Sequence, residues 1–253
     1  MKFPCLIAAR MGSSRLPGKT LMKIYGREMI GMIIDRVQTS KYVNDILIAT
    51  TELPEDDQLV SWAKKEGIST FRGQSVDLLG RISDAVEYIG ASSFIEVLGD
   101  NPLIESKIID AVCDKYESSN YDYVSLLTKE YPNFCTKDSC LFPVGIRAQI
   151  MSAKAIKKAS KLAKSSSHRE HATTYIIDNP NDFKIGLLEA REYFKELNMP
   201  KYTYAVNVRA NLEMIKYIVK MLKQLNRDWN LKDVVNYAII CFNLSNLIVF
   251  IIT

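Results

Sequence analysis

Short apolar runs and amphipathic stretches alternate along the chain. Residues 5–9 (CLIAA) and 45–51 (DILIATT) are largely apolar, as strands buried on both faces of a sheet usually are. Between them, residues 29–40 carry isoleucine and valine at helical spacing, which predicts a helix with one buried face. Strands that alternate with helices in this way are typical of a mostly parallel sheet covered by helices on both sides.

The same two periodicities predict the other elements of the chain. Further strands are expected at 69–73, 93–99, 121–127, 183–188 and 203–208. Further helices are expected at 54–67, 76–90, 105–119, 152–164, 169–178, 211–225 and 231–240. Residues 128–145 show turns and little periodicity, so we expect a small inserted excursion there. The predicted fold class is therefore α/β, with three layers and a Rossmann-like, mostly parallel sheet.

Nothing in the composition divides the chain into several domains. The sequence has no repeat, low-complexity tract or Pro/Gly-rich linker, so we predict one domain over residues 1–240. Residues 241–253 are an apolar C-terminal extension, whose apolar run is about half the length that a membrane-spanning helix needs. We therefore predict no membrane span and expect a buried or subunit-covered segment; association with a membrane is the alternative.

Charge and cysteine content narrow the classes of function. The net charge of +4 is too mild to argue for nucleic acid as a partner, but it is compatible with an anionic substrate. The five cysteines form no C-x-x-C pair, and the N-terminus does not read as a signal peptide. A reducing cytoplasm is the simplest location for such a chain.

A glycine-containing loop, ARMGSSRLPGKT (residues 9–20), directly follows the first predicted strand. In parallel sheets, ligands bind beyond the carboxyl ends of the strands, which is where this loop lies. Arg10, Arg15 and Lys19 supply three positive charges, and Gly12 lets the backbone come close to a ligand. The loop therefore predicts a polyphosphate site, with a solvated turn as the alternative. It departs from a Walker A loop, because five residues instead of four separate its first glycine from the Gly-Lys pair.

Several segments together resemble the sugar cytidylyltransferases. ARMGSSRLPGKTL resembles the loop with which these enzymes wrap the triphosphate of CTP, and VLGDNPLI resembles their Gly-Asp-x-Pro-Leu-Ile turn. FRGQSVDLLGR, SHREHATTYI and the closing helices extend the likeness over about residues 3–237. The spore-coat polysaccharide (SpsF-type) enzymes are nearest in pattern, and the enzymes that make CMP-activated ulosonic and sialic acids are more distant. The resemblance implies the nucleotide-diphospho-sugar transferase fold, CTP as substrate and a homodimer.

The resemblance and the residue chemistry together predict the nucleotide site. We expect Lys19, Arg15 and Asp100 to act in catalysis, the two cations on the leaving pyrophosphate and the acid on a metal ion. The residues expected to contact CTP are Ala8, Arg10, Gly12, Ser13, Ser14, Arg15, Lys19, Arg72, Asp77 and Arg81. A solvent-exposed helix position is the alternative for Arg81.

An acid at the end of a strand predicts a magnesium site. Asp100 follows the apolar strand at 93–99, and Mg²⁺ is usually bound through one or two carboxylates while it keeps several waters. Capping of the next helix is the alternative for this side chain, but Ser106 could serve that purpose as well. The resemblance implies a second acid after the last strand, where this chain has Asn207. We therefore expect Asp100 and Asn207 to form a Mg²⁺ site that is weaker or differently built.

Three residues are candidates for the acceptor side of the site. The resemblance implies that Arg169 and His171, in the SHREH segment, lie near the acceptor. A zinc pair of His168 and His171 lacks further ligands at a matching spacing, whereas helix capping or a surface position stays open for both histidines. Arg147 stands where the family carries an acid, which suggests an acceptor with its own carboxylate or phosphate.

These expectations combine into a functional hypothesis. The chain is expected to be a cytoplasmic enzyme that couples CMP from CTP to a sugar or a small, ulosonic-acid-like acceptor, with Mg²⁺ as cofactor and release of pyrophosphate, for a surface polysaccharide. Uridylyl or guanylyl transfer to a sugar phosphate is one alternative. A catalytically silent nucleotide-binding protein, for which Asn207 is the argument, is the other.

Overall fold

A computed structural model describes residues 1–194, 197–225 and 228–240. The strands are β1 Phe3–Ala8, β2 Lys23–Ile24, β3 Arg27–Glu28, β4 Val43–Thr51, β5 Ser69–Gly73, β6 Ser93–Leu98, β7 Tyr123–Leu126, β8 Ala148–Ser152 and β9 Ile185–Leu188. The helices are α1 Met29–Val37, α2 Asp57–Lys65, α3 Leu78–Tyr88, α4 Ser106–Ser118, α5 Ala153–Leu162, α6 Ser166–Glu170, α7 Thr174–Asp178, α8 Ala190–Tyr193, α9 Arg209–Lys223 and α10, residues 231–240. The extension predicted for 241–253 lies outside the described residues.

Within the described ranges, seven strands form the central sheet, in the order β5-β4-β1-β6-β8-β7-β9. Neighbouring strands are parallel except where β8 pairs with β6 and β7. The predicted mostly parallel α/β sheet is thus confirmed. Ala8, at the carboxyl end of β1, lies between Ala49 of β4 and Leu98 of β6. The segments that follow these three strands therefore meet at one edge of the sheet.

Helices cover both faces of the sheet and complete three layers. On one face α1, α2, α4, α9 and α10 bury their apolar residues, among them Ile33 and Ile108. On the other face α3, α5 and α7 do the same, with Ile82 and Ile156 among the buried residues. Burial of each such side chain stabilises the fold by roughly 1.5–3 kcal/mol relative to leaving it exposed. The packed helices thereby hold the sheet, and with it the ends of its strands, in place. Among the residues that the structure describes, no helix is both long enough and apolar enough to cross a membrane.

The strand predicted at 203–208 is wrong. Only Thr203 forms an isolated bridge, with Val144. The segment does not join the sheet, and Val206 N–H donates to Asp100 O, in the turn after β6, at 2.9 Å. A short apolar run such as Tyr204–Val206 is buried both in a strand and in a segment packed against loops, so the sequence pattern alone could not separate the two.

Other elements also differ from the prediction. The helix expected at 169–178 is divided into α6 and α7, because His171 has extended backbone angles (φ −127°, ψ 122°). The strand β8 was not predicted, and it pairs antiparallel with both of its neighbours. The excursion before it, which includes residues 128–145, contains one 3-10 turn, Pro132–Phe134.

Candidate active site

An open cleft of about 840 Å³ lies at the carboxyl ends of β1 and β6. It is formed by the loop after β1, the segment before α3, the turn after β6, helix α6 and Asn207 of the 203–208 segment. The residues predicted for the site that line this cleft are Ala8, Arg10, Ser13, Ser14, Arg15, Lys19, Asp77, Arg81, Asp100, Arg169 and Asn207. The fold therefore gathers most of the predicted nucleotide site, and both expected metal ligands, on one surface.

A lysine and an aspartate meet in this cleft. Lys19 Nζ lies 3.2 Å from Asp100 Oδ2 and donates a hydrogen bond at 2.7 Å to Val206 O. Asp100 Oδ1 is buried and has no hydrogen-bond partner among the described residues. Gly99 lets the turn lie close to β1, because a Cβ at this position would be 2.7 Å from Ala8 O. The carboxylate thus keeps one oxygen available for a further ligand.

Internal hydrogen bonds shape the loop after β1. Gly18, at φ 72°, donates from its N–H to Met11 O at 2.9 Å, and Thr20 Oγ1 donates to Arg10 O at 2.7 Å. The loop continues into a single 3-10 turn, Lys19–Leu21, and then into the β2–β3 hairpin. No α-helix begins at the lysine, so the loop has a different structure from a Walker A loop.

A buried carboxylate that the sequence analysis missed holds this loop in place. Asp56, fully buried just before α2, accepts hydrogen bonds from Met11 N–H at 2.6 Å and from Thr51 N–H at 3.1 Å. It also bonds the hydroxyl of Thr51. From the sequence alone, acidic residues at the start of α2 are interpreted as charges that stabilise the N-terminus of the helix. The side chain anchors the loop because it is buried between the loop and the end of β4, and burial of this kind arises from tertiary packing.

Two arginines hold the segment before α3 against the cleft. Arg10 Nη1 donates to Ser75 O at 3.1 Å, and Arg81 Nη1 donates to Gln74 O at 2.7 Å. Burial, followed by the nearby charge of Arg10, lowers the pKa of Arg81. With 4% of its surface exposed, Arg81 does not occupy the exposed helix position that was the alternative. A desolvated arginine in a cleft interacts strongly with an anion that enters it.

An ion pair joins α3 to α6 at the cleft. Asp77 caps α3, since its Oδ1 accepts from Gly80 N–H at 2.8 Å, and its Oδ2 pairs with Arg169. Arg169 Nη1 also donates to Ser160 O at 2.6 Å. Arg169 lines the large cleft, whereas His171 lines a smaller cavity beside it.

A second cavity, of about 250 Å³, adjoins the cleft, because Leu78 and Leu98 line both spaces. Arg147 and His171 line this second cavity, together with residues of β6, β8 and the excursion. The structure thus divides the three residues expected at the acceptor side between two adjoining spaces. The other histidine of that segment, His168, has its Nε2 2.9 Å from Asp178 Oδ2.

A chain of hydrogen bonds lies along the second cavity. Arg147 Nη1 donates to Tyr131 OH at 2.8 Å, and that hydroxyl lies 3.0 Å from Tyr123 OH. Tyr123 OH donates to Gln149 Oε1 at 2.6 Å, and Gln149 Nε2 donates to Glu96 Oε2 at 2.6 Å. Burial opposes the charge of Arg147, but the two tyrosines and two nearby carboxylates raise its pKa overall. The arginine is therefore a fixed cation in this cavity.

Two residues expected at the nucleotide lie outside the lining of both cavities. Arg72 donates to Asp57 Oδ1 at 2.6 Å and to Leu53 O at 2.9 Å, which connects β5 to the start of α2. Gly12 packs against Glu55, because a Cβ there would lie 2.0 Å from Glu55 Oε1. Position at a strand end does not by itself tell which side chains face the cleft.

The chain matches known proteins over most of its length. The family model described as Cytidylyltransferase matches residues 4–234. The chain is similar to the uncharacterised protein MJ1063 of Methanocaldococcus jannaschii, with 36% identity over 195 residues that cover 77% of this chain and 75% of the relative. It is also similar to the spore coat polysaccharide biosynthesis protein SpsF of Bacillus subtilis, with 28% identity over 216 residues that cover 83% of each chain.

A solved structure shares the whole architecture. The cytidylyltransferase of Leptospira borgpetersenii serovar Hardjo-bovis superposes on this chain with a TM-score of 0.78 at 26% sequence identity. That match covers 98% of this chain and 96% of the other. The family match spans the residues that line the cleft and the second cavity and all of the central sheet except Phe3, and it confirms the resemblance carried by the first loop and the Gly-Asp turn. The chain therefore belongs to the cytidylyltransferase family of enzymes.

Proposed function

We propose that the protein transfers CMP from CTP to a sugar or small acidic acceptor, with release of pyrophosphate, for the synthesis of a surface polysaccharide or related glycan. Membership of the cytidylyltransferase family supports the nucleotide. The name of the SpsF relative, a spore coat polysaccharide biosynthesis protein, supports the destination of the product. The observation that carries the proposal is the approach of Lys19 Nζ to within 3.2 Å of Asp100 Oδ2 inside one cleft.

In this reaction an oxygen of the acceptor attacks the α-phosphorus of CTP. A bond from phosphorus to the acceptor oxygen forms, and the bond to the oxygen that bridges the α- and β-phosphorus breaks with its electron pair left on pyrophosphate. The proton of the acceptor hydroxyl passes to solvent water. To catalyse this transfer, a protein must position the reactants and neutralise the charge that develops. Arg10, Arg15 and Lys19 line the cleft and supply the positive charge that a leaving pyrophosphate requires.

The residues present fit a magnesium ion at Asp100. Its buried Oδ1 lacks a partner among the described residues, and a carboxylate oxygen is the ligand that Mg²⁺ prefers. Asn207 lines the same cleft, but its Oδ1 accepts a hydrogen bond from Arg15 Nη2 at 3.3 Å. The described part of the chain has no cluster of three or more His, Cys, Asp or Glu residues placed to hold a metal. Asp100 would therefore be the main ligand, and the bound ion would neutralise charge on the α-phosphate.

The acceptor belongs in the second cavity in this proposal. Arg147 Nη1 pairs with Glu130 Oε2 at 3.2 Å, whereas Arg147 Nε is buried without a partner among the described residues. A guanidinium group with free N–H donors binds a carboxylate in a planar, often bidentate arrangement. This supports an acceptor that carries a carboxylate, as an ulosonic-acid-like sugar does.

A second candidate function is nucleotide binding without catalysis. It is favoured by Asn207, whose amide brings no charge to a metal and already bonds Arg15. Uridylyl or guanylyl transfer is a variant of the main proposal that keeps the same cleft and changes the base.

Pyrophosphate release tests these functions against each other. The protein is incubated with Mg²⁺, each of the four nucleoside triphosphates and a panel of sugar acids, and release is expected only with CTP and an acceptor together. Lys19→Met is expected to lose the activity, whereas Lys23→Met, a matched change of a side chain 66% exposed in the β2–β3 hairpin, is expected to keep it. Release with UTP or GTP would favour the other bases. Binding of CTP without release from any acceptor would favour the silent protein.

A homodimer belongs to the same proposal, supported by the family resemblance. Sedimentation velocity at micromolar concentration tests it, with a species of twice the monomer mass as the expected result. A monomer at every concentration would remove this part of the proposal.

A further inference from the structure

One buried carboxyl in the second cavity has no role in the site described so far. Glu96, on β6, is 1% exposed and lines that cavity. Its Oε2 accepts a hydrogen bond from Gln149 Nε2 at 2.6 Å, whereas its Oε1 is buried with no hydrogen-bond partner among the described residues. A half-satisfied carboxyl in a protein interior costs stability, so its presence requires an explanation.

The hydrogen-bond network determines which atom of this carboxyl stays open. Tyr123 OH donates to Gln149 Oε1 at 2.6 Å, so the amide group presents its Nε2 to Glu96. A half-turn of the carboxyl would only exchange its two oxygens, so one of them stays without a partner. The network therefore holds Glu96 in one orientation and leaves Oε1 as its open polar atom.

The chemistry of this atom favours a hydroxyl as its partner. Burial raises the pKa of Glu96, while the hydrogen bond from Gln149 and the charges of Arg147 and Arg81 act in the opposite direction. An ionised carboxylate only accepts hydrogen bonds, whereas a neutral carboxyl can also donate one. A hydroxyl can donate or accept, so it matches both forms. An ammonium group matches the ionised form alone.

We infer that Glu96 selects the acceptor, through a hydrogen bond between its Oε1 and a hydroxyl group of a polyhydroxylated acid bound in the second cavity. This inference rests on the proposed function and narrows its acceptor to a sugar acid whose carboxylate meets Arg147 and whose hydroxyl meets Glu96. Leu98, which follows Glu96 on β6, lines both the cavity and the cleft. An acceptor held by Glu96 therefore lies next to the nucleotide cleft that contains Asp100. In this inference Glu96 positions the acceptor and takes no part in bond formation.

A cycle of protein variants and acceptor analogues tests the inference. Pyrophosphate release is measured with CTP, a panel of sugar acids that includes 3-deoxy-manno-octulosonic and N-acetylneuraminic acids, and the monodeoxy analogues of those acids that react. Wild type, Glu96→Leu and Thr50→Val are compared. Thr50 is the matched control, because its Oγ1 is also buried without a partner among the described residues but it lines neither cavity.

Wild type and Thr50→Val are expected to discriminate against one deoxy analogue by roughly tenfold or more in kcat/KM. Glu96→Leu is expected to discriminate by less than about twofold, because it lacks the carboxyl that hydrogen-bonds the hydroxyl. Its KM for CTP is expected to stay as in wild type. Equal discrimination by wild type and Glu96→Leu overturns the inference and leaves the proposed function standing. CTP turnover that no polyhydroxylated acid stimulates overturns both.

Glu96→Gln keeps the inference testable if the leucine variant does not fold. Its amide oxygen can still accept from Gln149, and its NH₂ group, a donor only, then occupies the open position. Discrimination by this variant against the deoxy analogue is expected to be several-fold weaker than in wild type, because a neutral donor replaces a carboxyl that can accept from the hydroxyl. Equal discrimination by Glu96→Gln and wild type overturns the inference.

Discussion

A substitution at Asp56 tests how the loop after β1 is held in place. Its buried carboxylate accepts from Met11 N–H at 2.6 Å and from Thr51 N–H at 3.1 Å, and thereby ties the loop after β1 to the end of β4. In Asp56→Asn the side chain keeps its size, but one of the two oxygens becomes an NH₂ group. That group faces an N–H donor, so the backbone donor of either Met11 or Thr51 loses its partner.

The expected cost follows from these contacts. An unsatisfied buried donor costs about 1–3 kcal/mol, and the loss of a charged acceptor adds to this. We expect Asp56→Asn to lower the free energy of unfolding by about 2–4 kcal/mol, which corresponds to a fall of roughly 1 M in the urea midpoint. Because the loop carries the cations of the cleft, we also expect its KM for CTP to rise by about tenfold or more.

Asp57→Asn is the matched control. Asp57 is the next residue, its side chain is 62% exposed, and it pairs with Arg72 at 2.6 Å. An exposed pair contributes about 0–1 kcal/mol, so this variant should unfold and bind CTP nearly as wild type does. Urea unfolding and steady-state kinetics measure both effects. If Asp56→Asn matched Asp57→Asn in both measurements, the loop would not depend on the buried carboxylate and this reasoning would be refuted.

Three other substitutions test the turn, the metal and the second cavity. Gly99→Ala should lower kcat by roughly tenfold, because its methyl would lie 2.7 Å from Ala8 O and displace the turn that carries Asp100; an unchanged kcat would contradict this. Asp100→Asn should lower kcat/KM by roughly 10²–10³ and remove the dependence of the rate on Mg²⁺; undiminished stimulation by Mg²⁺ would exclude this ligand. The raised pKa of Glu96 means that the folded protein keeps a proton which the unfolded chain releases, so wild type loses stability as pH rises above the ordinary value of 4.5. Glu96→Gln has no such loss, so the difference in unfolding free energy, variant minus wild type, should increase with pH; a constant difference would oppose the assignment.

The parallel part of the fold could be predicted because each of its elements has one clear period. β1 and β4 are short apolar runs, and α1 carries its apolar residues at helical spacing, so local sequence determines both type and place. β8 could not be found in this way. Almost all of Ala148–Ser152 is buried, and its antiparallel neighbours come from distant parts of the chain. The segment at 203–208 shows the reverse error, since it contains a short buried apolar run as a strand does but forms only an isolated bridge and contacts the turn after β6.

The cleft proposed to bind CTP was predictable for a related reason. Arg10, Arg15 and Lys19 lie within ten residues of one another in one loop, and Asp100 follows an apolar strand, so the local sequence indicates each of them. The second cavity is assembled from β6, β8, the excursion and the link between α6 and α7. Glu96 is the one charged residue within a largely apolar strand, and only the tertiary fold reveals that one of its oxygens is buried without a partner among the described residues.

The central claim is that the cleft in which Lys19 meets Asp100 grips the triphosphate of CTP. Isothermal titration calorimetry of CTP with Mg²⁺ into wild type, Lys19→Met and Lys23→Met tests it most directly. Wild type and Lys23→Met should bind alike, and Lys19→Met should bind at least about tenfold more weakly, because one charge-assisted contact to the phosphates is lost. Equal affinity of Lys19→Met and wild type, or no uptake of CTP by wild type, would contradict the account.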